Sequence, residues 1–177
     1  MTDAIGEKLV VADAGPLIHL DELSVLDVLS EYAQVCVPDA VWQEVMNRRP
    51  NALGNSAVPW KKVTVTKQFP RISALAELYS LHSGEQEALT LCLVAHIDTL
   101  LSDDTAARLA ANNLRLTTHG TLGLLLRAVR TGTRTPEQVL TLLQAIPQRS
   151  TLHIRPSLLA EVIAQARTAW GFDGGSL

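Results

Sequence analysis

Residues 9–18 read Leu9-Val10-Val11-Ala12-Asp13-Ala14-Gly15-Pro16-Leu17-Ile18, and this stretch decides the fold. Four apolar residues without polar alternation predict a short strand covered on both faces. Asp13 ends the strand, and Gly15-Pro16 predicts a turn before the next element. A helix is expected over 22–31, with Leu23, Leu26 and Leu29 on one side. The pattern then repeats along the chain. Gln34-Val35-Cys36-Val37 is the second strand, and Pro38-Asp39 opens a helix through Val41, Trp42, Val45 and Met46 that stops at Asn47-Arg48-Arg49-Pro50. Lys62-Val63-Thr64-Val65-Thr66 alternates with period two, as a strand near a sheet edge does. A short helix is expected over 72–81. Ser83 and Gln86 have the capping-box spacing before a helix that reaches residue 97, apolar nearly all round and therefore central. Residues 99–102 and 114–118 are the remaining strands, with helices after Asp103-Asp104 and over 120–130, 136–146 and 156–170. Strands alternating with helices predict an α/β fold: a central, mostly parallel sheet of about five strands flanked by helices.

The 177 residues are 47% apolar and 19% charged, the make-up of one ordinary domain. That domain is expected over 1–155, with a C-terminal helix and tail over 156–177 packed on it or on a partner. With Cys36 and Cys92 alone, neither a disulfide framework nor a zinc ribbon can form. The uncharged apolar stretch 88–97 is too short to span a bilayer, and the N-terminus, MTDAIGEKLVV, carries acids where a secretory signal needs an apolar run. A cytoplasmic protein without membrane contact is expected.

Chemistry in open α/β sheets collects beyond the carboxyl ends of the strands. Asp13 ends the first strand there, Asp103 and Asp104 end the fourth, and Glu44 and Glu85 lie on helices reached from strand ends. Each has an ordinary reading as well: Asp13 as a turn or cap, Asp103 or Asp104 as an N-cap, Glu85 and Glu87 as complements to a helix dipole. A doubled Asp exceeds what one cap requires. Glu44, among Val41, Trp42 and Val45, borders the apolar stripe of its helix. Carboxylates gathered without neutralising Lys or Arg must take up protons or bind cations. Oxygen ligands without His or Cys select Mg²⁺ or Mn²⁺ over zinc, and such ions support hydrolysis of phosphate esters.

Other chemistries lack their motifs. Asp13-Ala14-Gly15-Pro16 stands where a dinucleotide site needs G-x-G-x-x-G, and Gly15 stands where an aspartyl-phosphate enzyme needs its second Asp. No Walker A sequence occurs. His19, His82, His96, His119 and His153 form no H-x-x-x-H pair and read as helix-end or surface residues. Gly120-Thr121-Leu122-Gly123 is a candidate phosphate-contacting helix start.

Taken in order, five blocks resemble the PIN-domain family, in its bacterial and archaeal subgroup related to VapC-type toxins. They are residues 11–18, Val37-Pro38 with Val41-Trp42-Gln43-Glu44, Gly84-Glu85-Gln86-Glu87-Ala88-Leu89, Ser102-Asp103-Asp104 with Ala107-Arg108-Leu109-Ala110, and Gly120-Thr121-Leu122-Gly123. The resemblance implies a parallel sheet with an acidic pocket and Mg²⁺- or Mn²⁺-dependent endonuclease activity on RNA. It puts the family's acids at Asp13, Glu44, Glu85 and Asp104, with Asp103 an additional or alternative metal ligand and Ser102 the hydroxyl beside them. Glu87 and Thr121 fall in supporting positions. Ala14 departs from the Ser or Thr that many members carry after the first acid. A cognate antitoxin and a homodimer are further implications.

The charge distribution is polarised. Residues 1–104 hold 7 basic and 15 acidic side chains, and residues 105–177 hold 8 and 3. Arg108, Arg127 and Arg130 of the second half are the candidates for holding an RNA backbone. Only 4% aromatic residues speak against a base-stacking platform. A metal-dependent ribonuclease, the toxin of a toxin–antitoxin pair, is the leading expectation. The alternatives are a non-catalytic binding module on the same fold and a small phosphate-ester hydrolase acting on nucleotides.

Overall fold

In the computed structural model, which describes residues 8–172, five parallel strands form one sheet in the order β3-β2-β1-β4-β5. The start of the N-terminal reading (1–7) and the end of the expected tail (173–177) lie outside the described residues. The strands are β1 (Leu9–Ala12), β2 (Gln34–Pro38), β3 (Trp60–Val63), β4 (Thr99–Leu101) and β5 (Thr117–His119). The helices are α1 (Ala14–Glu22), α2 (Asp39–Arg48), α3 (Pro70–Tyr79), α4 (Ser83–Ala95), α5 (Thr105–Asn113), α6 (Thr121–Arg130), α7 (Pro136–Arg149) and α8 (Pro156–Ala169).

Alternate side chains of the central strands enter two separate cores. Val10, Ala12, Val35, Val37 and Leu101 point to one face, where Leu17, Ile18, Leu20, Leu124, Leu125 and Leu143 cover them. Val11, Cys36 and Leu100 point to the other, under Leu89, Cys92, Ala110 and Ala111. Burial on both faces is why these strands are unbroken apolar runs. On α8, Leu159 is buried in the first core, with Val162, Ile163 and Trp170 packed against it.

Four local readings need correction. The helix expected over 22–31 is α1 at Ala14–Glu22 followed by a 3₁₀ turn at Leu26–Glu31. Gly15 and Pro16 do not make a turn; Pro16 sits in the first turn of α1, where a helix has no donor to lose. The capping box of α4 is shifted by one residue, because the Glu85 carboxylate, rather than Gln86, accepts the cap N–H, that of His82, at 2.6 Å. Gln86 donates instead to the Leu81 carbonyl. β3 begins two residues earlier than its alternation suggests, and it is an edge strand as expected. β5 begins at Thr117, since Leu114 belongs to the end of α5: Arg115, at φ +61°, reverses the chain and Leu116 N–H closes on the Ala111 carbonyl.

Leu17 is fully buried between α1 and the first core. Leu17→Ala is therefore expected to lower the unfolding free energy by about 2–5 kcal/mol in urea titrations, and a loss under about 1 kcal/mol would contradict this packing.

Candidate active site

β1 leads toward β2 and β3 on one side, whereas β4 and β5 lie on its other side, so the strand order reverses between β1 and β4. Loops at the carboxyl end diverge at such a point and leave a crevice. Both strands carry acids out of it. The Asp13 N–H donates to the Leu101 carbonyl at 2.8 Å, extending the ladder one residue beyond β1. Ser102 does the same beyond β4, donating to the His119 carbonyl at 2.9 Å.

Asp13, 6% exposed, is held at both oxygens. Oδ1 accepts the Ala14 N–H at 2.8 Å, so the side chain caps α1, and Oδ2 accepts the Ser102 hydroxyl at 2.9 Å. Burial raises its pKa from 3.8 to about 6; the two hydrogen bonds oppose that rise, and the charges of Glu85 and Glu44 add to it.

Asp13, Glu44, Glu85, Asp103 and Asp104 line one cleft of about 310 Å³. Gly84 lets α2 and α4 approach closely at this point, since a Cβ there would lie 3.4 Å from Val41 Cγ2 and 3.8 Å from Glu44 Oε2. The five acids differ in freedom. Asp103 Oδ1 accepts the Thr121 N–H at 2.7 Å, and Oδ2 meets the Thr121 hydroxyl at 2.5 Å and His19 Nδ1 at 2.8 Å. Asp104 caps α5 through Oδ1, which accepts the Ala107 N–H. Glu85 closes the capping box of α4. Glu44 is not pressed into the apolar stripe of α2: its side chain is half exposed to the cleft, with Arg48 3.7 Å away. An exposed i,i+4 pair of this kind holds the carboxylate only weakly.

The remaining residues singled out from sequence are placed as follows. Ser102 is fully buried behind Asp13, and its hydroxyl also accepts the Asp104 N–H. Thr121 is fully buried and anchors Asp103. Glu87 does not line the cleft; it accepts the Ala40 N–H at the start of α2. Arg108 reaches the Ser102 carbonyl at 3.5 Å and lies at a neighbouring cleft. Arg127 is engaged by Glu31 at 2.7 Å, and Arg130 is exposed at the end of α6; neither lines the acidic cleft.

Sequence reasoning missed His19 and the returning segment Thr151-Leu152-His153, all of which line the cleft. His19 is buried, not a surface residue. Its signal was its place four residues after Gly15, on the helix face that meets Asp103. The returning segment carries no local signal. Glu22 fixes it by accepting from Ser150 Oγ, Thr151 N and Thr151 Oγ1, bonds that lower the Glu22 pKa against the opposing effect of burial.

Among the described residues, no three His, Cys, Asp or Glu side chains are drawn into a ready-made metal cage. The donors still fit a hard cation. Mg²⁺ keeps several waters and needs only one or two carboxylates, and the buried Asp13 beside like charges is a site that a cation relieves.

Protonation of Asp13 sets a stability trend. The folded chain keeps the Asp13 proton up to about pH 6, whereas the unfolded chain releases it at the ordinary value, so folding loses stability as pH rises through that window, by up to about 3 kcal/mol. Asp13→Asn keeps an acceptor for Ala14 and has no charge to bury. The variant is expected to match wild type near pH 4 and to exceed it in urea midpoint above pH 6; equal midpoints at pH 7 would contradict the account.

No match is found among curated proteins. A family model described as "DUF3368: PIN domain" matches residues 9–168, from β1 nearly to the end of α8. The chain therefore belongs to the PIN-domain family and has a nuclease-type fold.

Proposed function

We propose that the protein is a metal-dependent endoribonuclease that hydrolyses RNA phosphodiester bonds with Mg²⁺ or Mn²⁺, and that it acts in the cytoplasm as the toxin of a toxin–antitoxin pair. One observation carries the catalytic reading: five carboxylates of a nuclease-type fold surround one cleft, and the most buried of them, Asp13, is under pressure from like charges. A module that only bound a polyanion would gain nothing from such a set.

When bound, a divalent cation supplies an activated water and neutralises charge developing on the phosphate. Asp13, Glu44, Glu85 and Asp104 would hold it, with Asp103 as a further candidate. Ser102 orients Asp13 through Oδ2, and Thr121 with His19 fixes Asp103. Arg48, across from Glu44, is placed to offset charge at the cleft mouth. Arg108 is the best situated of the three candidate arginines to meet the RNA backbone. A cognate antitoxin and a homodimer belong to the same proposal. No helix among the described residues is long and apolar enough to cross a membrane.

The firm hold on both oxygens of Asp103 favours a second reading, a catalytically inactive binding module. Cleavage assays separate the two. Purified protein with Mn²⁺ or Mg²⁺ is expected to cut single-stranded RNA and to stop when a chelator is added. Asp13→Asn is expected to lose more than the roughly 10–100-fold that removal of an outer-shell partner costs. Wild type and Asp13→Asn leaving RNA equally intact would sink the enzyme reading, and turnover of mononucleotides alone would redirect it to a small phosphate-ester hydrolase.

A further inference from the structure

A second cleft, of about 400 Å³, opens on the β5 side and shares Asp103, Leu152 and His153 with the acidic one. The two meet along the carboxyl edge of the sheet but have opposite chemistry. The second is walled by Arg108 from α5, His119 from the end of β5, and His153. Its one carboxylate, Asp103, is already committed to Thr121 and His19.

Arg108 makes no ion pair among the described residues and has a single long bond, 3.5 Å to the Ser102 carbonyl. Gly120 leaves it room, because a Cβ at that position would lie 2.8 Å from Arg108 Nη1 and 2.7 Å from Asp103 Oδ1. The surroundings are cationic as well. Burial first, and then the charges of Lys8, Arg127, Arg108 and Arg130, hold the His119 imidazole below its ordinary range. Arg127 is engaged by Glu31, so Arg108, Arg130 and Lys8 dominate the field at the cleft. Cations gathered around a concave site with its carboxylate occupied attract an anion, and the volume lies within the range of about 300–1,000 Å³ typical of small-ligand sites.

We propose that this second cleft is a subsite for the nucleotide adjoining the scissile bond, in which Arg108 forks onto its phosphate and His119 and His153 contact the nucleotide. Its place beside a scissile bond rests on the proposed nuclease function; its affinity for a phosphodiester does not. His153, common to both clefts, stands where the strand passes from one to the other. Arg130 and Lys8 lie near enough to guide the strand onward. Such a subsite positions RNA through its backbone, with little preference for base and a steep dependence on salt.

The test is metal-free binding of a short, labelled single-stranded RNA by fluorescence anisotropy, with chelator present, across a salt series. Wild type is compared with Arg108→Gln, His119→Gln and Arg115→Gln, after circular dichroism shows each to be folded. Arg115 precedes β5, at the opposite end of the sheet, and controls for loss of one charge. Arg108→Gln is expected to weaken binding roughly tenfold or more and to lower the log–log salt slope by about 0.7. His119→Gln is expected to weaken binding with little change in slope, and Arg115→Gln to bind as wild type does. Wild type that fails to bind at low salt, wild-type affinity in both cleft variants, or an equal loss in Arg115→Gln would each overturn the subsite. Because no turnover is read, the subsite survives if RNA is never cut yet Arg108→Gln loses binding, and it falls alone if RNA is cut while Arg108→Gln binds normally.

Discussion

The hydrogen bond from Ser102 to Asp13, 2.9 Å long and closed to solvent, joins the ends of β1 and β4 where the strand order reverses. The same aspartate caps α1 and extends the central ladder through its own N–H. One carboxylate thus fixes the direction of the first helix, the alignment of the two central strands and the floor of the acidic cleft. Its charge is what the fold tolerates least, with burial and two nearby glutamates raising its pKa to about 6. A structure that keeps a costly group at its topological centre has traded stability for function there.

The other acids are more lightly held the further they lie from that centre. Asp103 is bound at both oxygens, Asp104 and Glu85 each serve a helix cap, and Glu44 has only an exposed arginine beside it. A cation entering the cleft would therefore find a fixed floor and an adjustable wall. Next to it, the Arg108 cleft reverses the sign of the potential within one groove. The near-balance of total charge is the sum of these two regions and describes neither.

Much of this was readable from the chain, for physical reasons. Strands buried on both faces must be continuous apolar runs, so β1, β2 and β4 stand out, and the acids that follow them mark the crevice. The readings that failed depend on what the backbone does with ambiguous residues. Gly15-Pro16 reads as a turn unless the helix begins early enough to put Pro16 in its first turn. Leu114 reads as strand until Arg115 adopts its left-handed conformation. His19 stayed hidden because α1 was not expected there. His153 reaches the site through a chain return anchored by Glu22, 129 positions from its partner Thr151, and no local pattern encodes that. Arg127 looked available for RNA because its partner Glu31 lies 96 positions away.

The central claim is that the carboxylates around Asp13 form a divalent-cation site whose occupation displaces a proton. Calorimetric titration with Mn²⁺ near pH 6, repeated in buffers of different ionisation enthalpy, measures both binding and proton release. The account predicts that wild type releases about half a proton per binding event at that pH, while Asp13→Asn binds far more weakly and releases less. Equal Mn²⁺ affinity and equal proton release in the two proteins would contradict it.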